Sequence, residues 1–271
     1  MTAAGARQRP RRRWVWVLVA LATTAVFAVP FRLRILGPHG MQHAVVSPVS
    51  YRRGVSDLQV QASGGAVVTI RAGRPGRVTV GGSISWTLRR PAVTEHWQGR
   101  TLQVGATCPK LDPFGGCQVL VVLTVPAGTA VQAQAAAGSV TVAGLSGPLR
   151  LSASSGSLMA ENISGPVWAS VTSGSMVANR GLTSQRFYAS VTSGQITLGF
   201  GAAPRVLAAA IGAGDAEITL PAGSRYRIVS SSGAGALSVA PGLSDARSGS
   251  VLKVTIGTGA ASIGYPAPGP S

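Results

Sequence analysis

A glycine returns along the second half of this chain at Gly138, Gly156, Gly174, Gly194, Gly214, Gly235 and Gly259, spaced by 18, 18, 20, 20, 21 and 24 residues. The residues seven, five and three before each marker form apolar columns. They run Val131, Ala133, Ala135; Leu149, Leu151, Ala153; Val167, Ala169, Val171; Phe187, Ala189, Val191; Leu207, Ala209, Ile211; and Leu252, Val254, Ile256. Only Ser230 and Ser232, in the unit that begins with Ile228, interrupt them. Two and four residues after the marker the chain is apolar again, from Val140 and Val142 to Ala261 and Ile263. Alternation with a period of two marks a strand with one buried face. The same register in seven units makes like residues stack on like, so that no unit buries its apolar face without its neighbours.

The pattern predicts an all-β protein, a β-solenoid (β-helix-like) of about seven to eight coils of 18–24 residues. Glycine at each corner supplies a positive φ and a tight reversal. An antiparallel sandwich or barrel is the alternative, and constant register over seven units argues against it. Composition agrees with many short strands: Gly is 36 of 271 residues, charged residues are 11% and aromatic residues 5%. Residues 127–264 are read as the regular repeats and 51–126 as an irregular β capping region. Leu58, Val60 and Ala62 before Gly64-Gly65, with Val68 and Ile70 after, resemble a degenerate first unit. Residues 265–271 are a Pro-rich tail that does not extend a strand.

The N-terminus points to export. Trp14 to Phe31 is an 18-residue stretch without a charge, preceded by Arg7, Arg9, Arg11, Arg12 and Arg13. The reading is a basic cytoplasmic segment over 1–13, a transmembrane helix over 14–36 and a linker over 37–50. This predicts a single-pass cell-membrane protein with its β portion extracytoplasmic. A cleaved signal peptide ending near Val26-Phe27-Ala28 is the rival. Cys108 and Cys117 bracket a turn-rich CPKLDPFGGC loop, and in an oxidising compartment they pair as a disulfide; two free thiols are the alternative. The net charge of +17 is dispersed beyond Arg13, with no basic run longer than two, so nucleic acid is not an expected partner.

Units such as SSGSLMA, TSGSMVA, TSGQITL and GAGDAEITLPAG resemble the bacterial putative-adhesin family, a β-strand-repeat domain of unknown function. The likeness covers about residues 51–264 and implies a repeat fold and a surface location. The chain departs from the family's T-G-S-G-D-V unit in one respect. The acidic residue after the glycine is present only as Asp215, while Ser139, Ser157, Ser175, Gln195, Ala236 and Ala260 hold the place elsewhere.

Catalytic constellations are sparse, and neither a cofactor nor a metal is expected. His39 and His43 fall in the linker, and His96 has only Glu95 beside it. Asp215 and Glu217 leave the same strand face about 6.6–6.8 Å apart, a spacing usable at a glycosidic bond, but Ala216 and Ile218 point that face outward. The outward positions are more suggestive. Arg150, Trp168 and Tyr188 stand six residues before successive markers and predict a stacked ladder. Ser152, Ser170 and Ser190, then Ser154, Thr172 and Thr192, predict a hydroxyl array beside it. The expected function is a non-catalytic, membrane-anchored structural or adhesive surface protein. A module binding carbohydrate, cell wall or a surface protein through Arg150, Trp168, Tyr188, Ser170, Thr172, Ser190 and Thr192 is the alternative, and a polysaccharide-active enzyme the third reading.

Overall fold

The computed structural model describes residues 42–87, 89–109 and 116–266. All regular structure in them is β, and the strands join one 15-stranded sheet. In chain order they are β1 (Gln42–Tyr51), β2 (Asp57–Ser63), β3 (Ala66–Gly73), β4 (Val78–Trp86), β5 (Ala92–Gln98), β6 (Thr101–Thr107) and β7 (Gln118–Pro126). There follow β8 (Ala130–Ala143), β9 (Leu149–Glu161), β10 (Val167–Leu182), β11 (Arg186–Phe200) and β12 (Val206–Thr219), then β13 (Arg227–Ser232), β14 (Ala236–Val239) and β15 (Val251–Gly264).

Strands β8 to β12 pair in parallel, each with the next, and their marker glycines are in register: Gly138 with Gly156, Gly156 with Gly174, Gly174 with Gly194, and Gly194 with Gly214. Each of these strands runs on through its marker, where φ lies between 118° and 136°. Side chains three before and two after the marker are five positions apart, so a flat strand would point them to opposite faces. Both sets are buried, as with Val171 and Met176 or Val191 and Ile196. The strands therefore bend at the glycine line, and the two arms of the sheet enclose one apolar core.

Glycine is required there for a second reason. A Cβ on Gly174 would overlap the carbonyl oxygen of Gly156, and one on Gly194 would overlap that of Gly174. The columns are filled by Leu, Val and Ile beside Ala, the turns between strands add buried Leu145 and Ile163, and the end of β10 adds Leu182. Phe187 and Phe200 meet edge to face in the same core, 5.5 Å between centroids.

The ends depart from the repeat. At the C-terminal end β15, not β13, lies against β12, and β13 and β14 pair only with β15. Burial explains the order. Strand β15 carries Leu252, Val254 and Ile256 and is suited to a place between two neighbours, whereas Ser230 and Ser232 are exposed on β13 at the edge. At the N-terminal end β2 and β3 are parallel partners of β8 on its two arms. Beyond them lie β6 and β7, parallel to β2 and β3, and then antiparallel pairs: β5 with β6, β4 with β7 and β1 with β4.

The expected β-solenoid is thus corrected to one mixed, open 15-stranded sheet, with strands inserted out of chain order. The periodicity set which residues face inward, but it carried no information on the order in which strands associate. The expected transmembrane helix over 14–36 lies outside the described residues, as do the segment 1–13 and His39. Among the described residues no helix is long and apolar enough to cross a membrane, which corrects the single-pass cell-membrane localisation.

Candidate functional site

The outward face of the first arm carries a groove of about 580 Å³ across β8 to β12 and β15. Its floor follows from register. Strand pairing sets Arg150 beside Trp168, Trp168 beside Tyr188, Tyr188 beside Ala208 and Ala208 beside Lys253. The position is outward because its neighbours on each strand, such as Val167 and Ala169, are buried, and successive side chains alternate.

Parallel pairing places like residues one strand spacing apart, and the two rings respond by stacking. Trp168 and Tyr188 lie 5.7 Å apart between centroids with only 7° between their planes. The Arg150 guanidinium covers the other face of the indole at 5.6 Å from the ring centroid. Trp168 is still 37% exposed, so the stack keeps an edge open to solvent. Beside it Ser152, Ser170 and Ser190 line the groove, with Gln132 and Gln134 at one end and Lys253 and Thr255 at the other. Among the described residues, Arg150 and Lys253 are the charged residues of this lining, and no carboxylate lines it.

Of the ligand face expected from the sequence, Arg150, Trp168, Tyr188, Ser170 and Ser190 come together here. Thr172 and Thr192 are exposed on β10 and β11, nearer the bend, and do not line the groove. Gln132 and Lys253 were overlooked, although both stand six residues before a marker. Extending the Arg150 column by one unit finds Gln132. Lys253 was hidden because its unit is last in the chain while its strand is next to β12.

The remaining candidates lie apart. Asp215 and Glu217 are exposed on the second arm of β12 and belong to no part of the groove. His43 is on β1 and His96 on β5. Among the described residues no group of three or more His, Cys, Asp or Glu residues could hold a metal ion. Cys108 and Cys117 form a disulfide with a Cα–Cα distance of 5.9 Å, linking the end of β6 to the start of β7. A second aromatic cluster ties β1 to β5, which share no backbone pairing. The Tyr51 hydroxyl donates to Glu95 Oε2 at 2.7 Å, and the Tyr51 ring meets Trp97 edge-on at 5.3 Å. Arg53 covers that indole at 5.1 Å. The bond to Glu95, then burial, hold the Tyr51 hydroxyl above its usual pKa.

No protein-family model and no curated protein matches the chain. Several solved bacterial structures are similar over most of its length. One is described as a putative cell adhesion protein from Clostridium sporogenes, 11% identical, covering 84% of this chain and 99% of its own, with a TM-score of 0.37. Another is a putative adhesin from Bacteroides fragilis, also 11% identical, covering 84% of this chain and 98% of its own, with a TM-score of 0.35. A third, from Parabacteroides distasonis, is described as a putative lipid binding protein; it is 13% identical, covers 81% of this chain and 97% of its own, and has a TM-score of 0.34.

Proposed function

We propose that this protein is a non-catalytic adhesive module that holds carbohydrate in the groove of β8 to β12 and β15. The observation that carries the reading is the Trp168–Tyr188 stack, its ring planes parallel within 7° and its indole 37% exposed. With the indole covered by Arg150 on one face and Tyr188 on the other, the stack meets sugar rings through its exposed edges and through the face of Tyr188 that looks along the row toward Ala208. The surrounding amides and hydroxyls of Gln132, Gln134, Ser152, Ser170 and Ser190 supply donors and acceptors for sugar hydroxyls. Ordered aromatic planes lose little conformational entropy on binding, which favours affinity from a shallow site. The exposed Asp215 and Glu217 pair is on the other arm, away from any residue of the groove, which supports a binding role over glycoside cleavage.

The test is binding to immobilised bacterial cell-wall polysaccharide, measured for wild type and for Trp168→Ala and Tyr188→Ala, with Met159→Ala as a control. Met159 is 40% exposed on the other arm. Loss of either ring should weaken binding at least about fivefold, the scale of one aromatic contact, in protein that still folds. The control should bind as wild type. Equal binding by all four proteins would remove the groove from the account.

A further inference from the structure

The row that contains Trp168 continues past the groove. Strand pairing sets Gln132 beside Arg150, Gln59 beside Gln132 and Gln103 beside Gln59. Gln103 Nε2 donates to Gln59 Oε1 at 3.2 Å, so these side chains already form an amide ladder across β6 and β2. Two further depressions, of about 130 and 190 Å³, follow this line. The first shares Gln132 and Arg150 with the groove, and the second shares Gln59 with the first. The three are thus one continuous track running across the strands.

From Lys253 on β15 to Gln103 on β6 the track crosses eight strands, or about 34 Å at the usual strand spacing. That is far longer than a mono- or disaccharide. A pyranose unit in a linear chain advances by about one strand spacing, so rungs and rings stay in step. Charge narrows the ligand further. Lys253 and Arg150 lie at the end and in the middle of the track, and Asp57, which accepts a hydrogen bond from Ser56, is the single lining carboxylate among the described residues.

Resting on the groove reading above, we infer that the ligand is a linear, acidic polysaccharide laid across the strands. Its rings pack against the exposed edge of Trp168 and the free face of Tyr188, its carboxylates meet Arg150 and Lys253, and its hydroxyls engage the amides of Gln132, Gln59 and Gln103.

Calorimetric titration of the full chain with oligogalacturonides of increasing length, and with neutral cello-oligosaccharides of the same lengths, tests this. The acidic series should bind about fivefold or more tighter than the neutral one at low salt, with the difference shrinking as salt is added. Affinity for the acidic series should keep rising up to about eight units, one per strand crossed. In the Gln59→Ala/Gln103→Ala double variant, which leaves the groove lining intact, the rise should stop at about six units, with binding of the shortest oligomers unchanged. A plateau at two or three units, or equal affinity for the two series, would overturn the inference and leave the aromatic groove standing. Failure of both series to bind wild type would overturn both.

Discussion

Between Ala130 and Thr219 the two arms of each unit are one continuous strand, bent at a glycine. Between Gln42 and Pro126 the arms are separate strands, and other means hold them together. Strands β6 and β7 occupy the same two rungs on either arm, and there the Cys108–Cys117 disulfide does the joining. Further out, β5, one strand beyond β6, and β1, two strands beyond β7, are joined through Tyr51, Glu95, Trp97 and Arg53. The difference teaches how a repeat is ended. Stacked similar units need only backbone register and a column of glycines, and the outer rungs, whose two arms are separate strands, take covalent and side-chain ties instead.

The largest effect should separate the two kinds of glycine. Gly174→Ala puts a methyl group into the carbonyl of Gly156, backbone that cannot swing aside, and should cost more than about 4 kcal/mol or prevent folding. Gly99, in the turn between β5 and β6, also has a positive φ of 61° but nothing within 4 Å of a new Cβ. Gly99→Ala should cost only the conformational strain, about 1–2 kcal/mol. Chemical denaturation of both variants measures the gap, and equal costs would mean the glycine column is not a packing constraint.

Next comes the covalent tie. The Cys108→Ser/Cys117→Ser double variant should lose roughly 2.7 kcal/mol, the loop-closure entropy of its short loop. Hydrogen exchange should then speed up in β6 and β7 and stay slow in β10 and β11. Uniform acceleration would show that the two regions unfold as one unit.

The smallest effect contrasts two tyrosines at opposite ends. Tyr51 donates to Glu95, so Tyr51→Phe should lower stability at neutral pH by about 1 kcal/mol. Tyr226 is buried, its hydroxyl makes no well-formed hydrogen bond among the described residues, and burial, partly offset by the nearby Ser224, pushes its pKa up to about 12. Tyr226→Phe should be neutral or stabilising at pH 7. In wild type the unfolded chain loses the phenol proton at about pH 10, before the folded protein does, so the Tyr226 contribution falls between about pH 10 and 12. Denaturation curves across that range should flatten in Tyr226→Phe; an unchanged slope would contradict the assignment.

The inward columns were readable because burial imposes a period of two on every strand, and Leu151, Val171, Val191 and Ile211 all lie in the core. The stacking of Trp168 on Tyr188 was readable for the same reason, since equal offsets from a marker become neighbours under parallel pairing. What did not show was the order of strands. Ser230 and Ser232 were visible as breaks in the columns, but their meaning, an edge, depends on where the chain goes next. The antiparallel pairs of β1, β4 and β7 were equally hidden, because alternation does not encode strand direction. The glutamine track escaped notice because Gln59 and Gln103 belong to units without a marker in the regular series.

Disulfide trapping tests most directly whether neighbouring strands, not neighbouring units, assemble the binding row. Ala208 pairs with Lys253 in the structure, and Val229 is one further strand away beyond Lys253. Under mild oxidation, an Ala208→Cys/Lys253→Cys protein should form the new bond readily, since one strand spacing of about 4.8 Å is within bridging range. An Ala208→Cys/Val229→Cys protein, two spacings apart at about 9.6 Å, should not. Mass spectrometry of the peptides distinguishes the two. The reverse outcome, with 208 bonded to 229 and not to 253, would contradict the strand order and take Lys253 out of the row.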